Sequence, residues 1–243
     1  RNNPYKDPRS RYLRILRKLL YFTADGYVFQ TEGAKGYFSK SIQKRACVIP
    51  NPINSFIPDV WEGDREQRVV MVNRLDSQKN IKMGIDAFSH VVKKYPQYRL
   101  EIYGKGPLEK ELQQYITEKN LNEKVILKGF CTNVTEQIRN AEIYLLTSDY
   151  EGMSNSLMEA LALGLVCIST DHPTGGAKAL IKNGENGLLI PIRNIEACAK
   201  AINKVLSSDS LRIKLSENAV RIREQLSIEN IAVQWETYIR KII

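Results

Sequence analysis

The chain has 243 residues, 36 Lys plus Arg against 27 Asp plus Glu, and a formal net charge of +9. Its 14 glycines and 9 prolines fall below average usage, and 43% hydrophobic with 26% charged residues is ordinary for a folded globular chain, which excludes collagen-like, linker and disordered classes. At roughly 150 residues per domain the length implies about one and a half domains, which is either one large domain or a piece of a larger protein.

The first element is a basic amphipathic helix at 9–22, where Tyr12, Leu13, Leu16, Leu19 and Leu20 recur at helical spacing between arginines. Residues 1–24 hold seven basic side chains against Asp7, so two thirds of the net charge sits in this one segment. The arginines interrupt any signal-peptide core, and the opening on Arg1 reads as the start of a fragment. The helix suits either peripheral contact with anionic lipid headgroups or packing into the remainder of its own domain.

Next come a short strand at Tyr27–Gln30, a helix from about Thr31, a strand at Ala46–Ile49 and the breaker Pro50-Asn51-Pro52. A polar linker follows at 51–67. From Arg68 six apolar strands (69–75, 99–104, 124–130, 142–148, 166–170 and 187–192) alternate with helical stretches, the pattern of a parallel sheet covered on both faces. Pro107 is placed just inside one helix start, and Gly164 at the end of a helix that begins near Asn155. The last 50 or so residues read as helices only. The longest nearly unbroken apolar run, Ala160–Ile168, is far short of the roughly 20 residues a membrane-spanning helix needs.

Ligands of such sheets bind beyond the carboxyl ends of the strands, so unusual residues there carry the functional reading. Arg74 and Lys79 flank the start of the helix near Asn80 and suit a diphosphate; the alternative is an Arg74–Asp76 pair with a solvated Lys79. Gly104 and Gly106 allow a close backbone approach, but Glu109 stands where a dinucleotide fingerprint needs a third glycine. The polar stretch 147–156 precedes an apolar helix whose amides would face the cleft. Glu151 and Glu159 reach different parts of one ligand, unless Ser156-x-x-Glu159 is simply a capping box.

Cys47, Cys131, Cys167 and Cys198 are too dispersed for a zinc site or a disulfide scaffold and read as reduced cytoplasmic thiols. His90 reads as surface, and His172, in a loop before Pro173, has no evident partner. The charge outside the first helix is nearly balanced, which argues against nucleic-acid binding.

Together, Asn73-Arg74-Leu75 with Lys79, Gly104-x-Gly106-Pro107, Lys128-Gly129-Phe130 and the stretch 151–164 resemble the retaining nucleotide-sugar glycosyltransferases known as group 1 or family 4. Residues 184–191 and the pieces ADGYVFQTE and VIPNPI, with RNNPYKDPRSR before them, extend the likeness over most of the chain.

The resemblance implies a GT-B arrangement of two Rossmann-like domains, with 1–50 the end of the acceptor domain, 68–225 the donor domain and 226–243 a closing helix packed back on the first. It implies Arg74 and Lys79 on the diphosphate, Glu151 on the transferred sugar, Glu159 on the ribose, the segment Lys128–Phe130 on the base, and contacts from Gly152, Met153, Ser154, Asn155 and Ser156. It further implies a nucleotide-sugar donor, UDP favoured, a glycan or lipid-linked acceptor, and no metal, since no Asp-x-Asp triplet occurs. Two departures bear on donor identity: Asn73 stands where the family usually has Gly, and Lys178 lies near a customary acidic residue.

Overall fold

The computed structural model describes residues 10–243, so the expectations for Arg1–Arg9, including the start of the basic helix and the RNNPYKDPR part of the family likeness, lie outside the described residues. Helix α1 (Arg11–Phe22) leaves Tyr12, Leu13, Ile15, Leu16, Leu19 and Leu20 exposed. At its far end Tyr21 packs on Phe38, with ring centroids 5.8 Å apart. Strands β1 (Tyr27–Phe29) and β2 (Ala46–Val48) pair in parallel, joined by the short helices α2 (Glu32–Gly36) and α3 (Lys40–Lys44). Thr31 caps α2 by accepting from the amide of Ala34 at 3.0 Å.

The connecting segment is tied down rather than loose. Ile49 and Ile53 are buried, and the amide of Ile53 donates to the carbonyl of Leu226 at 2.8 Å. The second unit then alternates strand and helix: β3 (Glu66–Val72), α4 (Ile81–Val91), β4 (Arg99–Tyr103), α5 (Glu109–Glu118), β5 (Val125–Gly129), α6 (Val134–Ile138), β6 (Ala141–Leu146), α7 (Asn155–Ala162), β7 (Val166–Thr170), α8 (Gly176–Leu180) and β8 (Leu188–Ile190). Four helices close the chain: α9 (Ile195–Leu206), α10 (Asp209–Ala219), α11 (Ile222–Gln225) and α12 (Ile228–Ile242). Among the described residues no helix is long and apolar enough to cross a membrane.

The six strands are all parallel, in the order β5-β4-β3-β6-β7-β8. Strands β6 and β7 are buried along their whole length, as a sheet covered on both faces demands. One apolar cluster, with Phe88, Ile102, Ile116 and Ile202, fills the face under α4, α5 and α9; the other, with Tyr144, Leu157, Leu161 and Ile222, fills the face under α7 and α11. Chain order reverses between β3 and β6, so the crevice at their carboxyl ends is where this topology places a ligand.

Two details differ from the sequence expectation. Pro107 lies in the turn before α5, whose first residue is Glu109, because the amides of Leu108 and Glu109 are already engaged by the carbonyls of Leu75 and Gly106. The cap of α7 is Ser154, which accepts from the amide of Leu157, so the Ser156–Glu159 capping box does not form. Gly164 does follow the end of α7, with φ +71°. The carbonyls at that end are held by Arg65, which donates to Leu163 and Gly164, and by Arg223, which donates to Ala162. These guanidiniums fix the far end of a helix whose near end opens on the crevice. The last helix returns to the first segment: Tyr238 Oη accepts from the amide of Tyr27 at 2.8 Å and donates to the carbonyl of Arg45 at 2.6 Å.

Candidate functional site

A cleft of about 720 Å3 lies at the topological reversal. Its walls include Arg74, Lys79, Gly104, Phe130, Glu151, Gly152, Met153, Ser154, Asn155 and Ser156, ten of the thirteen residues expected from sequence. Gly106, Lys128 and Glu159 stand outside this lining. Gln30 enters it from the first segment and Asn51 from the start of the connecting segment, joined by a 2.6 Å bond from Gln30 Nε2 to Asn51 Oδ1.

The loop after β3 begins with buried Asn73, whose side-chain amide has no partner among the described residues. Arg74 follows, largely exposed, with Nε 2.6 Å from Asp76 Oδ2. Of the alternative, an Arg74–Asp76 pair with a solvated Lys79, the first half holds and the second does not: Lys79 is not solvated. A 3-10 turn at Ser77–Lys79, capped by Asp76, and a left-handed Asn80 at φ 44° turn Lys79 inward. Its ammonium meets the carboxylate of Glu151.

The loop after β6 supplies the other wall. Ser148 donates to Glu151 Oε1 at 2.8 Å, so Lys79 and Ser148 share that oxygen, and Oε2 makes no hydrogen bond among the described residues. The two loops are laced together. The amide of Asp149 donates to the Gln78 carbonyl, Gln78 Nε2 to the Tyr150 carbonyl, and Thr147 Oγ1 reaches the carbonyls of Lys79 and Asn80. Beyond Ser154 the amides of Asn155 and Ser156, the first two of α7, have no acceptor within the helix, and both residues line the cleft. Burial pushes the Tyr144 phenol well above its ordinary value, so it stays protonated and donates to Ser156 Oγ at 2.8 Å.

The glycines serve a different partner from the one expected. A Cβ on Gly104, at φ +134°, would sit 1.8 Å from the carbonyl oxygen of Asn73, and one on Gly106 would sit 2.3 Å from that of Leu75. They let the β4–α5 loop press on the backbone of the Arg74 loop. Lys128 lies 3.8 Å from Glu101 Oε1, in a network where Arg68 and the Tyr103 hydroxyl also engage that carboxylate. Burial pushes Glu101 up, but the bonds from Tyr103 and Arg68 outweigh it and hold the carboxyl below its usual range. Phe130, 67% exposed, presents its ring at the rim.

Glu159, one turn into α7, is half-buried, and its carboxylate has no hydrogen bond or ion pair among the described residues; burial raises its pKa. Lys178 pairs with Asp171 at 2.7 Å and does not line the cleft. His90 is exposed, as expected. The sequence offered no signal for Gln30 or Tyr103; it placed Ser148 in the polar stretch 147–156 without a role of its own, and His172 in a loop without a partner.

The model of a protein family described as "Glycosyl transferases group 1" matches residues 56–221, more than half of the chain. The chain belongs to the group 1 glycosyl transferases. Among its curated relatives in this family is the poly(glycerol-phosphate) alpha-glucosyltransferase of Bacillus subtilis, 33% identical over 195 residues, which are 80% of this chain and 28% of that protein. Another is the Campylobacter jejuni GalNAc-alpha-(1->4)-GalNAc-alpha-(1->3)-diNAcBac-PP-undecaprenol alpha-1,4-N-acetyl-D-galactosaminyltransferase, 30% identical over 237 residues, 96% of this chain and 64% of that protein. The chain thus spans less than two thirds of the first curated relatives it matches.

A solved glycosyl transferase of similar shape is an S. aureus TarM mutant in complex with Fondaparinux, alpha-GlcNAc-glycerol and UDP. It superposes at a TM-score of 0.81 and 25% identity over 91% of this chain and 46% of that one. Anabaena Alr3699/HepE in complex with UDP gives 0.85 at 20% identity, covering 94% and 67%, which bears on the fold alone. The α/β architecture, a parallel six-stranded sheet flanked by helices, is that of the GT-B glycosyltransferases.

Proposed function

We propose that this chain forms the donor-binding part of a glycosyltransferase that moves a sugar from a UDP-sugar to a glycan or lipid-linked acceptor with retention, in polysaccharide or glycoconjugate assembly. The observation that carries the reading is the cleft at the β3/β6 reversal, where Lys79, Arg74 and the open amides of α7 face the same space as the free Oε2 of Glu151. When the bond between the sugar's anomeric carbon and the β-phosphate oxygen breaks, negative charge grows on the leaving UDP. Fixed cations and helix amides stabilise that charge without reorganising.

The acceptor oxygen forms the new bond on the face the diphosphate leaves, and its proton passes to a phosphate oxygen of the departing UDP. Glu151 orients the sugar and stabilises its positive character, Glu159 takes the ribose hydroxyls, and the Phe130 rim takes the base. No metal enters the proposal, because Lys79, Arg74 and the amides of α7 supply the donors that face the diphosphate. The relatives' names support the substrate class, since they specify a poly(glycerol-phosphate) and a glycan carried on undecaprenol as what is glycosylated.

Titration calorimetry with UDP, UDP-sugars and GDP-sugars tests the reading. UDP and a UDP-sugar are expected to bind, and Arg74→Ala to weaken both by about fivefold through loss of a charge-assisted contact; absence of any nucleotide binding would refute the reading. Because the chain spans less than two thirds of its relatives, a second reading is that it binds nucleotide sugar without turnover. Transfer assays comparing this chain with a version extended upstream of Arg1 separate the two.

A further inference from the structure

Thr174, in the turn between β7 and α8, makes contacts in three directions. Its hydroxyl donates to the backbone carbonyl of Glu151 and lies 2.8 Å from Nδ1 of His172. Its own carbonyl accepts from the hydroxyl of Thr31, the cap of α2, at 3.1 Å. A hydroxyl carries one proton. Since the Glu151 carbonyl can only accept, the Thr174 proton goes there, and Nδ1 of His172 must carry the proton that Thr174 receives.

His172 is 2% exposed, and burial depresses its pKa, with Lys79 acting in the same direction while Glu151 and Asp171 oppose it. The ring is therefore a neutral Nδ1–H donor aimed at Thr174. Across the crevice the first segment comes backbone to backbone with this turn: a Cβ on Gly33 would sit 2.5 Å from the Thr174 carbonyl oxygen.

Glu151 is thus gripped at both ends. Lys79 and Ser148 hold one carboxylate oxygen, while Thr174 holds the backbone carbonyl of the same residue. Such a grip matters because Glu151 lies in a loop, four residues ahead of α7, and a carboxylate that must meet a reacting sugar tolerates displacement of only about 0.5 Å.

We propose that Thr174, oriented by His172, is a positioning residue that sets Glu151 against the transferred sugar, and that Thr31 and Gly33 couple this setting to docking of the first segment. The proposal rests on the reading that Glu151 faces the donor's sugar. Neither Thr174 nor His172 lines the cleft, so their effect reaches the donor only through Glu151.

The test compares two ligands that differ by the sugar alone. Affinities for UDP and for the tightest binder among UDP-glucose, UDP-galactose and their N-acetyl forms are measured by calorimetry on wild type and variants. Thr174→Val, which keeps the shape and removes the hydroxyl, is expected to lower UDP-sugar affinity about fivefold while changing UDP affinity less than about twofold. Thr174→Ser is expected to restore the difference.

Should Thr174→Val fail to fold, the histidine carries the same comparison. His172→Asn, which places an amide N–H where Nδ1–H stood, is expected to behave as wild type, and His172→Leu as Thr174→Val. A role limited to folding would move both ligands equally, so equal losses, or none, in Thr174→Val and His172→Leu overturn the proposal while leaving the functional reading intact. A wild-type chain that binds neither UDP nor any UDP-sugar removes that reading, and this proposal with it.

Discussion

The turn before α7 and the helix itself each carry a carboxylate into one neighbourhood under opposite conditions. Glu151, in the turn, is buried, and one oxygen is shared by an ammonium and a hydroxyl. Glu159, one helical turn further on, is half-buried and has no partner among the described residues, so its charge is uncompensated. The protein completes the surroundings of the first carboxylate in advance and leaves the second without a partner among the described residues. An unpaired buried acceptor destabilises the empty fold, and a hydroxyl that reaches it on binding recovers that cost. In the proposed nucleotide-sugar site the two have different parts, one group held in place for the reacting end and one whose hydrogen bonding the ligand would complete.

The largest expected effect comes from breaking the prepared side. Lys79→Met leaves the Glu151 carboxylate buried without its cation, which costs about 3 kcal/mol in denaturant unfolding, and it removes a cation from the diphosphate, lowering transfer about 100-fold or more. Lys79→Met combined with Glu151→Gln removes the stranded charge as well. It is expected to recover most of the stability and none of the turnover. If stability stays lost in the pair, the ion pair is not what organises this turn.

Breaking the unprepared side gives a smaller effect of mixed sign. Glu159→Gln is expected to weaken UDP binding about threefold to tenfold by calorimetry, yet to raise the melting temperature of the empty chain by about 1 °C, the partial exposure limiting the gain. Because the folded pKa of Glu159 is raised, its contribution to stability is fully present below the ordinary value of 4.5 and lost as pH rises through the raised value. The variant's advantage is therefore expected at pH 7 and absent at pH 4. A variant less stable than wild type at pH 7 would show that Glu159 has a partner after all.

Local chemistry explains which parts of this arrangement were legible in the sequence. Apolar runs and their spacing defined all six sheet strands to within a few residues, because strands buried on both faces leave a continuous signal. The placement of Arg74, Lys79 and Glu151 in the cleft was legible because strand ends of a parallel sheet meet at one crevice and because the order of motifs resembled a family. Lys79's inward turn was not, since it depends on a left-handed Asn80 and on Thr147, 68 positions away. Ser154 took the cap from Ser156 because the chain enters α7 two residues earlier than the Ser-x-x-Glu spacing suggests. Thr174 and His172 were illegible for the same reason as Gln30: they act through contacts made by folding, such as that of Thr31 with Thr174 across 143 positions.

The smallest expected effect sharpens the comparison by asking which feature of His172 matters, its donor or its neutrality. Its folded pKa lies below the ordinary 6.5, so its contribution to stability is present above pH 6.5 and is lost as pH falls through the depressed value. Glu151 and Asp171 moderate that loss and Lys79 deepens it, since these are the charges that act on the ring. His172→Asn keeps a donor toward Thr174 but cannot be protonated. Between pH 6.5 and pH 5 the wild-type melting temperature is expected to fall about 2 °C further than that of the variant, while at pH 7.5 the two keep the same preference for UDP-sugar over UDP. Parallel melting curves would mean that His172 is not held neutral by its surroundings. A changed preference at pH 7.5 would mean that the ring does more for Glu151 than present one N–H to Thr174.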